Sequence, residues 1–247
     1  MKQTLYSAYS ISRNFFALLS SYPLAIVSSV IMMILIFSGL YFTGIGIDGN
    51  IETDNIEGFI IKFVIWSSIT VALSSISGFI EDGTSTGSIE IIWTRNCPTT
   101  FYLFLSSLSP MLLSIISSLV IAFILNVVFG DRYNLSIFQV ASIFFAVSSA
   151  VGVGLLIGGL TIIFKAIGPV VNIAQFLLLP VIMNASRDYA VAELFVPGFA
   201  AVNFGILPTS NAVLFSLINC GVWLLIGTVA IKVAVRFSKR NGLVYQY

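Results

Sequence analysis

The chain has 247 residues, 58% of them hydrophobic and 9% charged, with a formal net charge of +1 and a mean hydropathy of +1.05. A soluble domain needs about 25% charged residues to solvate its surface, so this composition excludes one and makes lipid the main solvent. Histidine is absent, which removes the commonest metal ligand and general base, and the near-zero charge gives no sign of a nucleic-acid partner.

In hydrocarbon every backbone N–H and C=O must be paired internally, which leaves helices or a closed barrel. Barrel strands alternate apolar with polar residues over about ten positions. Here the apolar runs are unbroken over about twenty residues, long enough to cross a ~30 Å core as helix. The expected fold is therefore all-α integral membrane, one domain over 1–247 with six transmembrane helices. The spans are expected at about 23–42, 59–80, 101–129, 135–164, 168–185 and 212–235.

Residues 3–21 precede the first span and are too polar to cross. Leu5, Tyr9, Phe16 and Leu19 share one helical face with Arg13 and Asn14 away from it, the pattern of an amphipathic helix lying in the headgroup plane. The first span is too long for a secretory h-region and lacks a small-x-small cleavage site, so it reads as retained. Pro23 suits a first helical turn, and Pro110 offers the long third span a place to bend. Lys62, near the outer end of the second span, is expected to snorkel to the headgroups.

Lysine and arginine set the orientation. With the N-terminus inside, Lys2, Arg13, Arg95, Lys165, Lys232, Arg236, Lys239 and Arg240 face the cytoplasm, against Lys62, Arg132 and Arg187 outside. Both termini are thus expected to be cytoplasmic, in a multi-pass protein of the cell membrane. Residues 188–209 are apolar but broken by Pro197, Gly198, Gly205 and Pro208. A seventh span there would put the basic tail outside, so a re-entrant or interfacial outer hairpin fits better.

The segment after the second span, EDGTSTGSIEIIWTRNCPTT at 81–100, falls on the cytoplasmic side. Gly83 and Gly87 permit a sharp turn out of the membrane helix. Gly87 can also serve as an N-cap, with Glu90 favoured in the first turn. Ile89, Ile92 and Trp93 follow at i, i+3, i+4 spacing on one face, and Pro98 closes the element. The product is a short amphipathic helix between two spans, whose greasy face needs a bilayer or a protein partner.

These residues resemble the ABC type-2 permeases, the six-helix membrane subunits of ATP-binding-cassette exporters. Glu81, Asp82, Gly83 and Thr84 look like the acidic-x-Gly-Thr start of that family's first cytoplasmic loop. Gly87, Ser88, Ile89 and Glu90 look like its core and Pro98 like its close, with Ser85 and Thr86 spreading the two parts. The resemblance covers the whole chain in architecture and about twenty residues in motif. It implies that the short helix is a coupling helix docked on an ATPase subunit through Glu81, Asp82, Gly83, Gly87, Ile89, Glu90, Ile92, Trp93 and Arg95. It also implies a second permease copy or a related permease, and an exporter moving a lipid, drug, peptide or similar amphipathic substrate out of the cytoplasm.

The chain has no Gly-x-x-x-x-Gly-Lys-Ser/Thr loop and no Gly-Lys pair, so it lacks the phosphate cradle of an ATPase. No catalytic role and no cofactor are expected in this chain; ATP and magnesium would belong to the partner. Cys97 and Cys220 have no zinc or redox spacing. Gly152, Gly154, Gly158 and Gly159 include a GxxxG spacing, which favours close helix packing. Asn126, Asn172, Gln175 and Asn184 are amides in or near spans; they bond neighbouring helices or, at Asn126, Asn172 and Gln175, line a polar path. Two other classes remain open: a non-transporting membrane partner (immunity, sensor or assembly subunit), and an ion-coupled carrier or channel.

Overall fold

The computed structural model describes residues 23–48, 56–85, 99–129, 136–164, 167–184 and 190–240. Eight helices are described: α1 Pro23–Asp48, α2 Ile56–Ser85, α3 Thr99–Phe129, α4 Ile137–Phe164, α5 Gly168–Met183, α6 Ala190–Phe195, α7 Phe199–Ile206 and α8 Ser210–Arg240. There is no strand among the described residues. Helices α2, α3, α4 and α8 are long and apolar enough to cross a membrane, as a helical membrane protein requires. Helices α1 and α5 carry shorter apolar stretches, Val30–Phe42 and Gly168–Met183. The segments 3–21 and 86–98 lie outside the described residues.

Helices α2 and α4 form the buried centre. Of their most apolar windows 72% and 67% are buried, against 33% for α3 and 22% for α8. The apolar core runs along both from Ile60, Phe63, Ile65 and Ile69 to Ala146, Val147 and Ala150. Serines on these helices are also buried, including Ser67, Ser68 and Ser149. Each returns its hydroxyl to a carbonyl three residues back in its own helix, at 2.7–2.8 Å. A small residue whose donor is already used lets helices approach without an orphaned polar group.

Glycines fix the closest crossings. On α4, Gly152 lies against the backbone of Trp223 and Leu224 of α8, and Gly227 of α8 lies against the Gly152 carbonyl. Gly154 and Gly158, the GxxxG pair, face Ile76 and Ile80 of α2 instead. The glycine run therefore serves two neighbours. Helix α1 is held differently, by rings. Phe37 meets Phe63 edge-on at 5.0 Å and Phe59 at 5.6 Å, a favoured aromatic geometry.

The helices alternate in direction. The starts of α2 and α4 and the end of α5 meet at one end of the bundle, where Gln139 bonds Glu57 and Lys62 bonds Met183. The end of α2 and the start of α5 meet at the other, at Glu81 and Gly168. One boundary differs from expectation. Helix α2 continues through Gly83 to Ser85 rather than turning there, because a glycine permits a turn without compelling one. Helix α3 extends from Thr99 to Phe129 and includes Pro110.

Residues 190–206 form two short helices, six and eight residues long. At 1.5 Å per residue neither reaches ~15 Å, so neither can cross alone. Gly198 sits between them at φ +78°, in the left-handed region that glycine adopts without a Cβ penalty, and it faces Ile69 and Ala146. Phe204 packs against Phe138 and Phe145 of α4 at 6.2 and 5.8 Å. The broken pair is thus seated in the bundle, against α2, α4 and α8.

Candidate functional site

The polar side chains fall into three groups, each joining helices. The first lies between α2 and α5. Gln175 Nε2 donates to Ser74 Oγ at 2.6 Å and to the Thr70 carbonyl at 3.2 Å. Trp66 Nε1 donates to the Gln175 carbonyl at 3.1 Å, using its second lone pair. Lys62 Nζ donates to the Met183 carbonyl at 2.9 Å, at the end of α5. The last carbonyls of a helix have no intrahelical donor and carry the negative end of its dipole. Lys62 satisfies one of them.

Helix α5 is accordingly two-sided. Val171, Gln175, Leu178 and Ile182 fall at helical spacing on the side turned to the core, while Asn172, Ile173, Phe176 and Leu177 are exposed. The paired amides part company here. Gln175 is taken up by α2, whereas Asn172 stays on the exposed face. Asn126 is half-buried near the end of α3, and Asn184 closes α5 with its N–H on the Pro180 carbonyl at 3.0 Å. No hydrogen bond among the described residues joins Asn126, Asn172 and Gln175.

The second group holds the broken helix pair. Asn219 of α8 is 2% exposed, and its Nδ2 reaches the carbonyls of Glu193, Leu194 and Val196 at 2.9, 2.9 and 3.0 Å. One amide thereby serves the orphan carbonyls at the end of α6. Glu193, itself 9% exposed, accepts from Asn203 Nδ2 of α7. Nearby, Ser136 and Gln139 make a reciprocal N-terminal box on α4, at 3.1 and 3.3 Å, the Ser-x-x-Gln pattern. Gln139 Nε2 extends it to Glu57 at 3.1 Å. Apolar periodicity does not single out Asn219 or Gln139, although Ser136-x-x-Gln139 is a legible capping signal.

The third group is at the opposite end. Of the residues matched to the coupling segment, Glu81, Asp82 and Gly83 lie in the last turns of α2, with Glu81 half-buried and Asp82 exposed. Gly87, Ile89, Glu90, Ile92, Trp93 and Arg95 lie outside the described residues. Both carboxylate oxygens of Glu81 stand beside the start of α5: a Cβ built on Gly168 would lie 3.5 and 3.8 Å from them. The N-terminus of α5 has no side-chain cap of its own and begins Gly-Pro. A carboxylate there is favoured by the positive end of the helix dipole, although Pro169 has no N–H and those of Val170 and Val171 already bond the Ile167 carbonyl. Helix α5 thus lies against α2 at both ends, beside Glu81 at its start and bonded by Lys62 at its finish.

Chemically these groups are locks between helices. Among the described residues no cluster of three metal-ligating side chains is present. Cys220 is a free, half-buried thiol on α8, and Cys97 lies outside the described residues. Trp223 Nε1 has no hydrogen-bond partner among the described residues; its backbone is pinned by Gly152. No protein-family model, no curated protein and no solved structure matches the chain.

Proposed function

We propose that the chain is the permease subunit of an ABC exporter. It would move a lipid, drug, peptide or similar amphipathic substrate out of the cytoplasm, driven by a separate ATPase subunit. The observation that carries this reading is the segment 81–98 between α2 and α3, with its Glu-Asp-Gly-Thr start, Gly-Ser-Ile-Glu core and closing Pro98. The helix order is compatible with it: four helices are long and apolar enough to cross, α1 and α5 carry shorter apolar stretches, and the broken pair α6–α7 precedes α8. The working unit is two permeases and two ATPase subunits in the cell membrane, with both chain termini cytoplasmic.

The contacts at the end of α2 supply a route for the force. A push on the segment after Ser85 reaches α2 directly, since α2 runs helically to that point. Glu81 passes it to the start of α5, and the bonds from Gln175, Trp66 and Lys62 make α5 follow α2 as one body. The exposed face of α5, with Asn172, then shifts against whatever lies beside it. Among the amides, Asn172 is the better candidate to line a path, because Gln175 is already engaged.

The test is a tagged pull-down of the intact chain, in which a nucleotide-binding subunit is expected. Trp93→Ala combined with Glu90→Lys should abolish ATP-dependent transport while the protein remains inserted and folded. A stable complex without a nucleotide-binding protein, or full transport by the double variant, overturns the proposal.

A further inference from the structure

We infer that the last turns of α8 are a docking site for an anionic phospholipid, with Lys232, Arg236 and Arg240 holding its headgroup. Helix α8 is uncharged from Ser210 to Ile231. That run of about 22 residues spans roughly 33 Å, close to the thickness of a bilayer's hydrocarbon core. Charge begins at the next residue and recurs at every fourth position. At about 100° per residue, Lys232, Arg236 and Arg240 occupy a narrow arc of the helix.

The surrounding positions sort cleanly by face. Ile231, Ala234, Val235 and Ser238 are buried on the opposite side, while all three basic residues are exposed. None of the three has a hydrogen bond or ion pair with another described residue. Lys239, by contrast, already has a partner. Among the described residues, the acidic ones at this end of the bundle are Glu81 and Asp82 of α2, and Glu81 is turned to the start of α5. Helix α8 itself carries no acidic residue.

The same arc continues along the membrane-embedded length as a bare apolar stripe. Leu214, Ile218, Leu225 and Val229 fall on it, exposed by 56%, 40%, 64% and 49%. One ligand fits both halves: an acyl chain lying on the stripe, with an anionic phosphate at the level where the basic residues start. Lysine and arginine can lay their apolar stems along such a chain and keep their charged heads at the phosphates, and exposed Phe237 and Val233 flank them at the boundary. A soluble acidic protein would match the charges but leave the stripe unexplained.

The experiment uses the full-length protein in vesicles of phosphatidylcholine alone and of equal parts phosphatidylcholine and phosphatidylglycerol. After extraction, retained lipid is counted by mass spectrometry. The native chain is expected to retain phosphatidylglycerol in preference. Each basic residue near an anionic surface is worth about fivefold in binding, so Lys232→Gln/Arg236→Gln/Arg240→Gln should lose the preference by on the order of a hundredfold. The charge-conserving Lys232→Arg/Arg236→Lys/Arg240→Lys should keep it, which separates charge from misfolding. Equal retention of both lipids by the native chain overturns the inference. So does unchanged preference in the neutral variant, even if that variant loses an acidic polypeptide that co-purifies with the native chain.

Discussion

Replacing Gly152 by alanine adds one carbon where α4 touches the backbone of α8. That carbon would overlap the Trp223 carbonyl and lie 2.6 Å from Leu224 N, where ordinary contact begins at 3.4 Å. The obstacle is main chain on both sides, so no rotamer change relieves it and the helices must part by roughly 1 Å. A gap of that size forfeits a quarter to a half of the dispersion well of every flanking atom pair. With some tens of pairs at ~0.1–0.2 kcal/mol each, the loss is about 1–3 kcal/mol, offset by at most about 1 kcal/mol of helix propensity. Gly221, also on α8, has nothing within 4 Å of its would-be Cβ, so Gly221→Ala collects the propensity gain alone. Purified protein unfolded thermally in one detergent should rank Gly152→Ala below the native chain and Gly221→Ala at or above it. Gly227→Ala meets the Gly152 carbonyl, and the double variant Gly152→Ala/Gly227→Ala should cost less than the sum, because the helices separate only once. Equal effects at Gly152 and Gly221, or strict additivity of the pair, would refute a backbone-limited crossing.

Two further substitutions address the polar locks. Asn219→Leu keeps the branching and heavy-atom count but removes the side-chain donor from the Glu193 and Leu194 carbonyls, leaving Val196 O its bond from Phe199 N–H; it should destabilise by about 2–3 kcal/mol and raise amide hydrogen exchange in 190–206 before the rest of the chain, and uniform exchange would count against it. Gln175→Leu should lower the unfolding midpoint by about 1 kcal/mol, because it removes the side-chain bonds to Ser74 Oγ and the Thr70 carbonyl while the main-chain carbonyl that Trp66 uses remains, whereas Asn172→Leu on the exposed face should leave it unchanged; the reverse order would show that α5 is turned the other way.

Much of the fold follows from apolar run lengths alone. An unbroken run of about twenty apolar residues has one way to satisfy its backbone in lipid, and that is helix. The chain is accordingly all-helical among the described residues, and four of its helices, over 56–85, 99–129, 137–164 and 210–240, are long and apolar enough to cross a membrane. The break at Pro197-Gly198 was also legible, since proline and a left-handed glycine interrupt a helix by local geometry. The motif at 81–98 is likewise a property of the sequence.

Local sequence could not assign partners. Periodicity places Asn172 and Gln175 within one turn of each other, but only packing decides that Gln175 meets Ser74 and Thr70 while Asn172 looks outward. The GxxxG pair and Gly152 look alike in sequence, yet one side of α4 receives isoleucine side chains and the other a neighbouring backbone. Periodicity places Lys62 near a helix end, and packing gives it an orphan carbonyl of α5. Hydrophobic length is a one-dimensional property and can be read along the chain. Which donor meets which acceptor across helices depends on rotation and depth of each element, and those are set only when all the helices pack together.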